Sequence, residues 1–247
     1  MPTTPVFLII GAAGGIGTAL THQLHQRGYR LVLSGRTLAP LQALAQEVGG
    51  HALQLDATDA DATSAAVARV VAEHGRLDGV VNLAGSILLK PAHLTTPAEW
   101  AQVLATNLGT AFSVVRAAAP VLGKDGGGSI VLLSTAAARL GLPNHEAIAA
   151  AKAGVTGLAL SAAATYAPRN VRVNVVAPGL VETPLSARLT AHPASRQASE
   201  AMHALGRIGS AEDVARVIAF LLDPANHWIT GQVYGVDGGL GTLRGRP

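Results

Sequence analysis

The sequence predicts a doubly wound α/β domain built on a parallel sheet, and three observations carry that prediction. Short apolar runs alternate with longer helical patterns along the whole chain, as expected of βαβ units whose strands are buried on both faces. A glycine-rich turn, Gly11-Ala12-Ala13-Gly14-Gly15-Ile16-Gly17, joins the first apolar run to the first helical pattern. The 247 residues are 49% apolar and show no linker, repeat or break in composition, which suits one large core spanning 1–247.

The elements follow from the patterning in order. Val6-Phe7-Leu8-Ile9-Ile10 reads as a buried strand, and Thr18-Ala19-Leu20 opens a helix after the glycine turn. Small residues let that turn tighten and approach a pyrophosphate, whose charge meets the unpaired N–H groups at the helix start. Strands are predicted at 30–34, 51–55, 79–83, 130–133, 171–176 and 232–236, making seven with the first. Helices are predicted at 39–48, 61–73, 97–121, 146–167 and 211–222, with Val67, Val70 and Val71 inward on the second of these. Residues 183–206 fit the rhythm least well. Leu185, Leu189 and Met202 read as packed, and His192-Pro193-Ala194-Ser195 breaks the helical pattern. The segment follows the sixth strand on the side where strand ends place ligands, so it reads as a flap over a substrate pocket or as a surface helix pair.

Composition excludes several classes. The formal charge is +3 and the basic residues are scattered, so no nucleic-acid or membrane patch is expected. Cysteine is absent, which removes disulfides, thiol catalysis and Cys-ligated metal. The histidines, including His22, His25, His192 and His203, share no convincing ligand spacing with carboxylates, so no metal is expected. Met1-Pro2-Thr3-Thr4-Pro5 lacks a basic n-region, and no uninterrupted apolar stretch predicts a spanning helix. A soluble cytoplasmic protein is the expectation.

The motifs resemble those of the short-chain dehydrogenase/reductase family from Val6 to Gly239. Gly11, Gly15 and Gly17 match its GxxxGxG turn, with Ala13 and Ile16 beside the cofactor. The resemblance implies a Rossmann-like three-layer sandwich with a seven-stranded parallel sheet. It places Asp56, with Ala57, near the adenine. Asn82-Leu83-Ala84-Gly85 is similar to the NNAG motif, with Asn82 bracing the sheet and Ala84 and Gly85 lining the cofactor. Asn107 would support the catalytic lysine, Lys152, through water. Pro178-Gly179-Leu180-Val181-Glu182-Thr183 is similar to the segment at the nicotinamide, where the Val181 backbone and the Thr183 hydroxyl would meet the carboxamide. Asp237-Gly238-Gly239 matches the family ending. The long helices would form a dimer seam through small residues such as Ala159, Ala162 and Ala163, unless these lie against their own sheet. A homotetramer is expected first and a dimer second.

Cofactor choice turns on the end of the second strand. Gly35 stands where NAD-dependent relatives carry an aspartate for the ribose hydroxyls, and Arg36 follows with a guanidinium suited to a 2′-phosphate. Arg36 could instead be solvated or stack on adenine. Gly14 stands where many NADP-using relatives carry a basic residue. NADP is the first expectation and NAD the second.

The chemistry departs from the family. Its proton donor is a tyrosine four residues before the lysine, and here that position is Ile148. Thr135 takes the place of the family serine, while Ser134 would point to the other face. Tyr166 lies at the far end of the helix, and Tyr29 and Tyr234 read as packing residues. Three readings follow. His145 supplies the proton, Glu146 being worse placed; or the substrate, an iminium or activated enone, needs no strong acid; or the protein binds nucleotide without turnover. The sequence thus points to a reductase of a small carbonyl, imine or activated double bond, with an NADP(H)-binding pseudoenzyme as the alternative.

Overall fold

The computed structural model describes residues 4–243; the outermost residues at each end, including Met1-Pro2-Thr3, lie outside it. Seven parallel strands form one sheet in the order β3-β2-β1-β4-β5-β6-β7. They are β1 (Val6–Ile10), β2 (Arg30–Gly35), β3 (His51–Gln54), β4 (Gly79–Asn82), β5 (Gly128–Leu133), β6 (Val171–Pro178) and β7 (Val233–Val236). The predicted doubly wound, seven-stranded fold is therefore present. The strand order reverses direction between β1 and β4, whose register pairs Phe7 with Gly79 and Ile10 with Asn82. Such a switch point opens a crevice at the carboxyl ends of the strands.

Alternate strand residues point to opposite faces, so each strand supplies two cores. On one face Phe7, Ile9, Leu31, Leu33, Val81 and Val131 pack beneath α1 (Gly15–Gln26), α2 (Leu38–Val48) and α9 (Ala211–Leu222). On the other, Leu8, Ile10, Val32, Val80, Ile130 and Val173 meet α3 (Ala60–His74), α5 (Thr110–Lys124) and α6 (Glu146–Tyr166). This is the three-layer sandwich. Helix starts are fixed locally: Thr96 and Glu99 form a capping box on α4 (Pro97–Leu104), and Ser210 and Asp213 form another on α9.

Three sequence expectations need correction. The single helix predicted over 97–121 is α4, a π turn over Ala105–Gly109, and then α5 running on to Lys124. The wider turn places Asn107 inward and buried, an irregularity that hydrophobic period alone does not encode. Leu185 and Met202 are exposed, because their segment lies beyond the sheet. Ala159, Ala162 and Ala163 are buried inside the subunit against its own sheet, so they are not available to a seam between subunits. Helix α6 with its last turn is long and apolar enough to cross a membrane by composition; here its buried side packs in an α/β core.

Candidate active site

The crevice begins with the glycine turn. Gly11 leaves β1 at φ +83°, and a Cβ there would lie 3.1 Å from the Leu83 carbonyl carbon and 3.2 Å from the Ala84 nitrogen. The turn thus presses against the exit of β4. At Gly17 a Cβ would strike the carbonyl oxygens of Gly11 and Ala12, and at Gly15 it would stand 2.9 Å from Thr183 Cγ2. Helix α1 opens at Gly14 with no side-chain cap and no acidic residue in its first turn. Unclaimed N–H groups, the helix dipole and a side-chain-free cradle suit a pyrophosphate. Ala13 is exposed on the turn, and Ile16 is half-buried against the α1 core.

The edge of the crevice beyond β2 and β3 holds Arg36 and Asp56. Leu55 N–H donates to Gly35 O at 2.9 Å, which aligns the two strand exits. Asp56 accepts from Thr58 N–H at 3.0 Å and Thr58 Oγ1 at 2.7 Å. These bonds, with a smaller contribution from Arg36, hold its carboxyl below the usual range. Arg36 is exposed, and Ala57 is buried in the core behind it. A Cβ on Gly35 would meet only Leu41 methyls at 3.8 Å, an ordinary contact. Packing at the Cβ position therefore does not demand glycine there.

Beyond β4 the polar groups brace one another. Asn82 Nδ2 donates to Thr110 Oγ1 at 3.0 Å, and its Oδ1 accepts from Ala84 N–H at 3.1 Å. Asn82 therefore ties the β4 exit to α5. Asn107 accepts from Ser86 N–H at 3.2 Å and donates to Ser86 Oγ at 3.1 Å and Val103 O at 3.0 Å. A Cβ at Gly85 would lie 3.1 Å from Asn107 Oδ1 and 3.6 Å from Lys152 Nζ, so both reach the same point beside Gly85. Lys152 is buried and donates to Leu133 O at 2.9 Å. With desolvation the resolved cause, its ammonium is pulled down to about 8.

A cavity of about 390 Å³ adjoins this point. Thr135, His145 and Ile148 line it from β5 and α6, and Gly179 and Leu180 from the β6 exit. Ser134 turns the other way and donates to Lys152 O at 2.9 Å, as strand alternation requires. Thr135 Oγ1 accepts from Ala137 N–H at 3.3 Å and donates to Pro178 O at 3.4 Å. Ile148, 5% exposed, packs with Val103, Ala147 and Ala151 and forms an apolar wall. His145 precedes the first turn of α6 rather than lying within it, yet its ring still lines the cavity. Its Nδ1 lies 2.7 Å from Pro143 O, a bond that leaves Nε2 for other partners.

Residues 183–206 cover this cavity through α7 (Ala187–Thr190) and α8 (Pro193–Met202), whose Arg188, Leu189, Ser195, Ser199 and Met202 line it. Two fastenings went unseen in the sequence. Ser186 Oγ bonds to Val181 O and accepts from Thr183 N–H at 3.1 Å, fixing the turn beside Gly15. His203, buried, has Nδ1 2.6 Å from Ser199 O and accepts from Leu180 N–H at 3.2 Å through Nε2. Glycine at 179 is required there, because a Cβ would come within 2.6 Å of His203 Nε2. Val181 is buried and pairs with Gly209. Asp237 accepts from Gly239 and Gly241 N–H at 2.9 and 3.0 Å, closing the terminal turn. A larger pocket of about 730 Å³, lined by Asp78, Gly128, Val171 and Trp228, lies at the opposite, amino end of the strands and holds none of these residues.

The buried ammonium makes stability depend on pH. Unfolded Lys152 titrates near 10.5 and folded Lys152 near 8, so the unfolded state binds more protons between those values. Stability contributed by this group is greatest above 10.5 and falls as pH drops through 8, by about 3 kcal/mol in all. Lys152→Met should therefore raise the denaturation midpoint of the ligand-free protein at neutral pH. The gain is reduced by about 1 kcal/mol for the orphaned Leu133 carbonyl and should vanish as pH approaches 10.5. Chemical denaturation across this range checks it; a pH-independent difference would contradict it.

Comparison with known proteins agrees with this geometry. A family model described as "Enoyl-(Acyl carrier protein) reductase" matches residues 11–241. The chain is 38% identical over 242 residues to the 3-oxoacyl-[acyl-carrier-protein] reductase FabG of Thermotoga maritima, covering 95% of this chain and 97% of that one. A short-chain type dehydrogenase/reductase from Mycobacterium ulcerans superposes with a TM-score of 0.91 at 33% identity, over 98% of this chain and 91% of that one. ElxO with NADP bound superposes at 0.92 with 27% identity, over 98% and 100% of the two chains. The glycine cradle, the Asn107–Thr135–Lys152 set and these likenesses lead to one conclusion: the chain belongs to the short-chain dehydrogenase/reductase family of oxidoreductases.

Proposed function

We propose that the protein is an NADP(H)-dependent oxidoreductase acting on a small, largely apolar carbonyl, imine or activated double bond, without the family tyrosine. The observation that carries this reading is that the glycine cradle, Lys152 and a 390 Å³ cavity walled by Ile148 all lie at the carboxyl end of the strands. Gly11, Ala13, Gly15, Ile16 and Gly17 would hold the pyrophosphate, and Arg36, Asp56 and Ala57 the adenosine end. Asn82, Ala84 and Gly85 would shape the middle, with Pro178, Gly179, Val181 and Thr183 at the nicotinamide. Bound NADPH supplies the hydride. Lys152 would anchor the nicotinamide ribose, Asn107 would support Lys152 and the loop beside it, and the Thr135 hydroxyl would donate to a developing oxyanion on a carbonyl substrate. Ile148 and the residues of α7 and α8 exclude water, and the 183–206 segment acts as a mobile flap.

His145 is the proton donor in this scheme. Its Nε2 is free of the Nδ1 bond to Pro143 O, and its ring lines the same cavity as Thr135. Imidazole serves as an acid near neutral pH. The loss of the tyrosine hydroxyl favours a second reading, a nucleotide-binding protein that does not turn over. Single-turnover oxidation of NADPH over ketones, imines and quinones separates the two. A neighbour's tyrosine-to-phenylalanine variant carries NADPH in its solved structure, so in that protein binding survives such a loss.

NADP is favoured because Gly35 carries no carboxylate, Arg36 is exposed beside Asp56, and ElxO holds NADP. Arg36→Ala should weaken NADPH binding by about 10–100-fold, the worth of a charge-assisted bond, and leave NADH binding nearly unchanged. Equal losses in a titration would reject the assignment.

The assembly reading is a homotetramer, with a dimer second. Trp100, Phe112 and Leu160 are exposed on α4, α5 and α6, and Phe220 and Trp228 are exposed near α9, with Trp228 at 93%. Apolar surface of this kind is expected to be covered by a partner. Light scattering at micromolar concentration should give a multiple of the 25.0 kDa chain mass; a monomeric mass would reject both states.

Ile148→Tyr tests the site itself. It returns a phenol one helical turn from Lys152 and next to Thr135, and the neighbouring ammonium lowers its pKa. General acid catalysis is worth roughly 10²–10⁴-fold, against an overpacking cost of about 1–3 kcal/mol. Reduction of simple activated ketones should rise, with loss on Lys152→Ala. A folded variant with unchanged NADPH affinity and no gain would move the reading towards binding without turnover.

A further inference from the structure

We propose that His51, Glu73 and His74 form a binding site for one divalent transition-metal cation, of which Zn²⁺ is the best match, at the edge of the sheet remote from the cofactor crevice. His51 begins β3, the edge strand, and Glu73 and His74 end α3. The chain separates His51 from the other two by a full helix, and parallel packing brings them back together. One ligand atom from each lies within 4.8 Å of the others. The imidazole rings of His51 and His74 meet edge to face with centroids 4.7 Å apart.

A second, independent observation points to a ligand. His74 Nε2 is the one buried side-chain nitrogen or oxygen among the described residues with no hydrogen-bond partner. Buried polar atoms without partners are rare, and an ion is a standard reason for one. The carboxyl end of α3 adds the negative end of a helix dipole, favourable to a cation.

The donor set selects the metal. Two imidazoles and one carboxylate suit Zn²⁺ and its neighbours and disfavour Mg²⁺ and Ca²⁺, which want oxygen ligands. Tetrahedral Zn²⁺ with bonds of about 2.0 Å places its ligands about 3.3 Å apart, so contraction by an ångström or so closes the site. A recess of about 130 Å³ lined by His51, Arg69 and Glu73 leaves room for water as the fourth ligand. Two charges oppose the cation: Arg69, whose Nε lies 2.7 Å from Glu73 Oε1, and Arg30, which faces His74. They set the expected affinity in the micromolar range rather than lower. The bound ion would fasten the edge strand to α3, since it holds one ligand from β3 and two from the helix.

The test uses the full chain, stripped with EDTA and titrated with ZnCl₂ against a chromophoric chelator. One Zn²⁺ per chain should bind with a micromolar dissociation constant, and the thermal midpoint should rise with zinc. His51→Ala and His74→Gln should each weaken binding by at least about tenfold and remove the thermal shift, and Mg²⁺ should not compete. His51 is exposed, so its variant keeps the test decisive even if His74→Gln folds poorly. A dissociation constant weaker than about 100 μM, or binding unchanged in His51→Ala, would overturn the proposal.

Discussion

The close contact between the glycine turn and the exit of β4 is the constraint from which the rest of the site follows. Parallel pairing of β1 with both β2 and β4 places two strand ends side by side while their connections leave in opposite directions. The crevice between them serves a ligand only if the backbone of one end lies flat against the other. Gly11 provides this with a positive φ and no Cβ, 3.1 Å from where the Leu83 carbonyl carbon would meet one. Gly17 then lets α1 start beneath the same loop, so its free N–H groups aim into the crevice. Any side chain at these positions separates the phosphate cradle from the β4 exit, where Gly85 lies beside Asn107 Oδ1 and Lys152 Nζ.

Ile148 shapes the surroundings of both Lys152 and the cavity. A lysine on the buried side of α6, hydrogen-bonded to a backbone carbonyl, is costly to hold charged. Ile148, one helical turn away, packs with Val103, Ala147 and Ala151 and adds an apolar wall to the cavity. The polar side chains that line it come from Thr135, from His145 and from the 183–206 segment, where Arg188 lies outside the ion pairs that hold Arg196 to Glu182 and Glu200.

The 183–206 segment is fastened by its own polar contacts. His203 is buried where α8 ends, and it accepts from the backbone of the loop that walls the cavity. Ser186 does the same from the other end, against Val181 and Thr183. Loop geometry at the cavity and helix position over it are therefore coupled through two side chains, so movement of α7 and α8 would disturb the Gly179–Thr183 backbone.

The strands and the glycine turn were legible in the sequence, because each depends on local period or on fixed spacing within one element, whereas the roles expected of Asp56, Asn82, Asn107 and Lys152 came from the family resemblance of their motifs. Thr135 rather than Ser134 was legible for the same reason, since strand alternation admits one of them to the cavity. The π turn at Ala105–Gly109 was not, since it conserves the hydrophobic period on both sides of a locally wider turn. Whether Ala159, Ala162 and Ala163 face a partner or their own sheet could not be read from smallness alone; the packing of α6 on the sheet decides it. His203 and the His51–Glu73–His74 cluster belong to this second class. Their partners come from elements distant in the chain, and no spacing rule records what a parallel sheet brings together across a crossover.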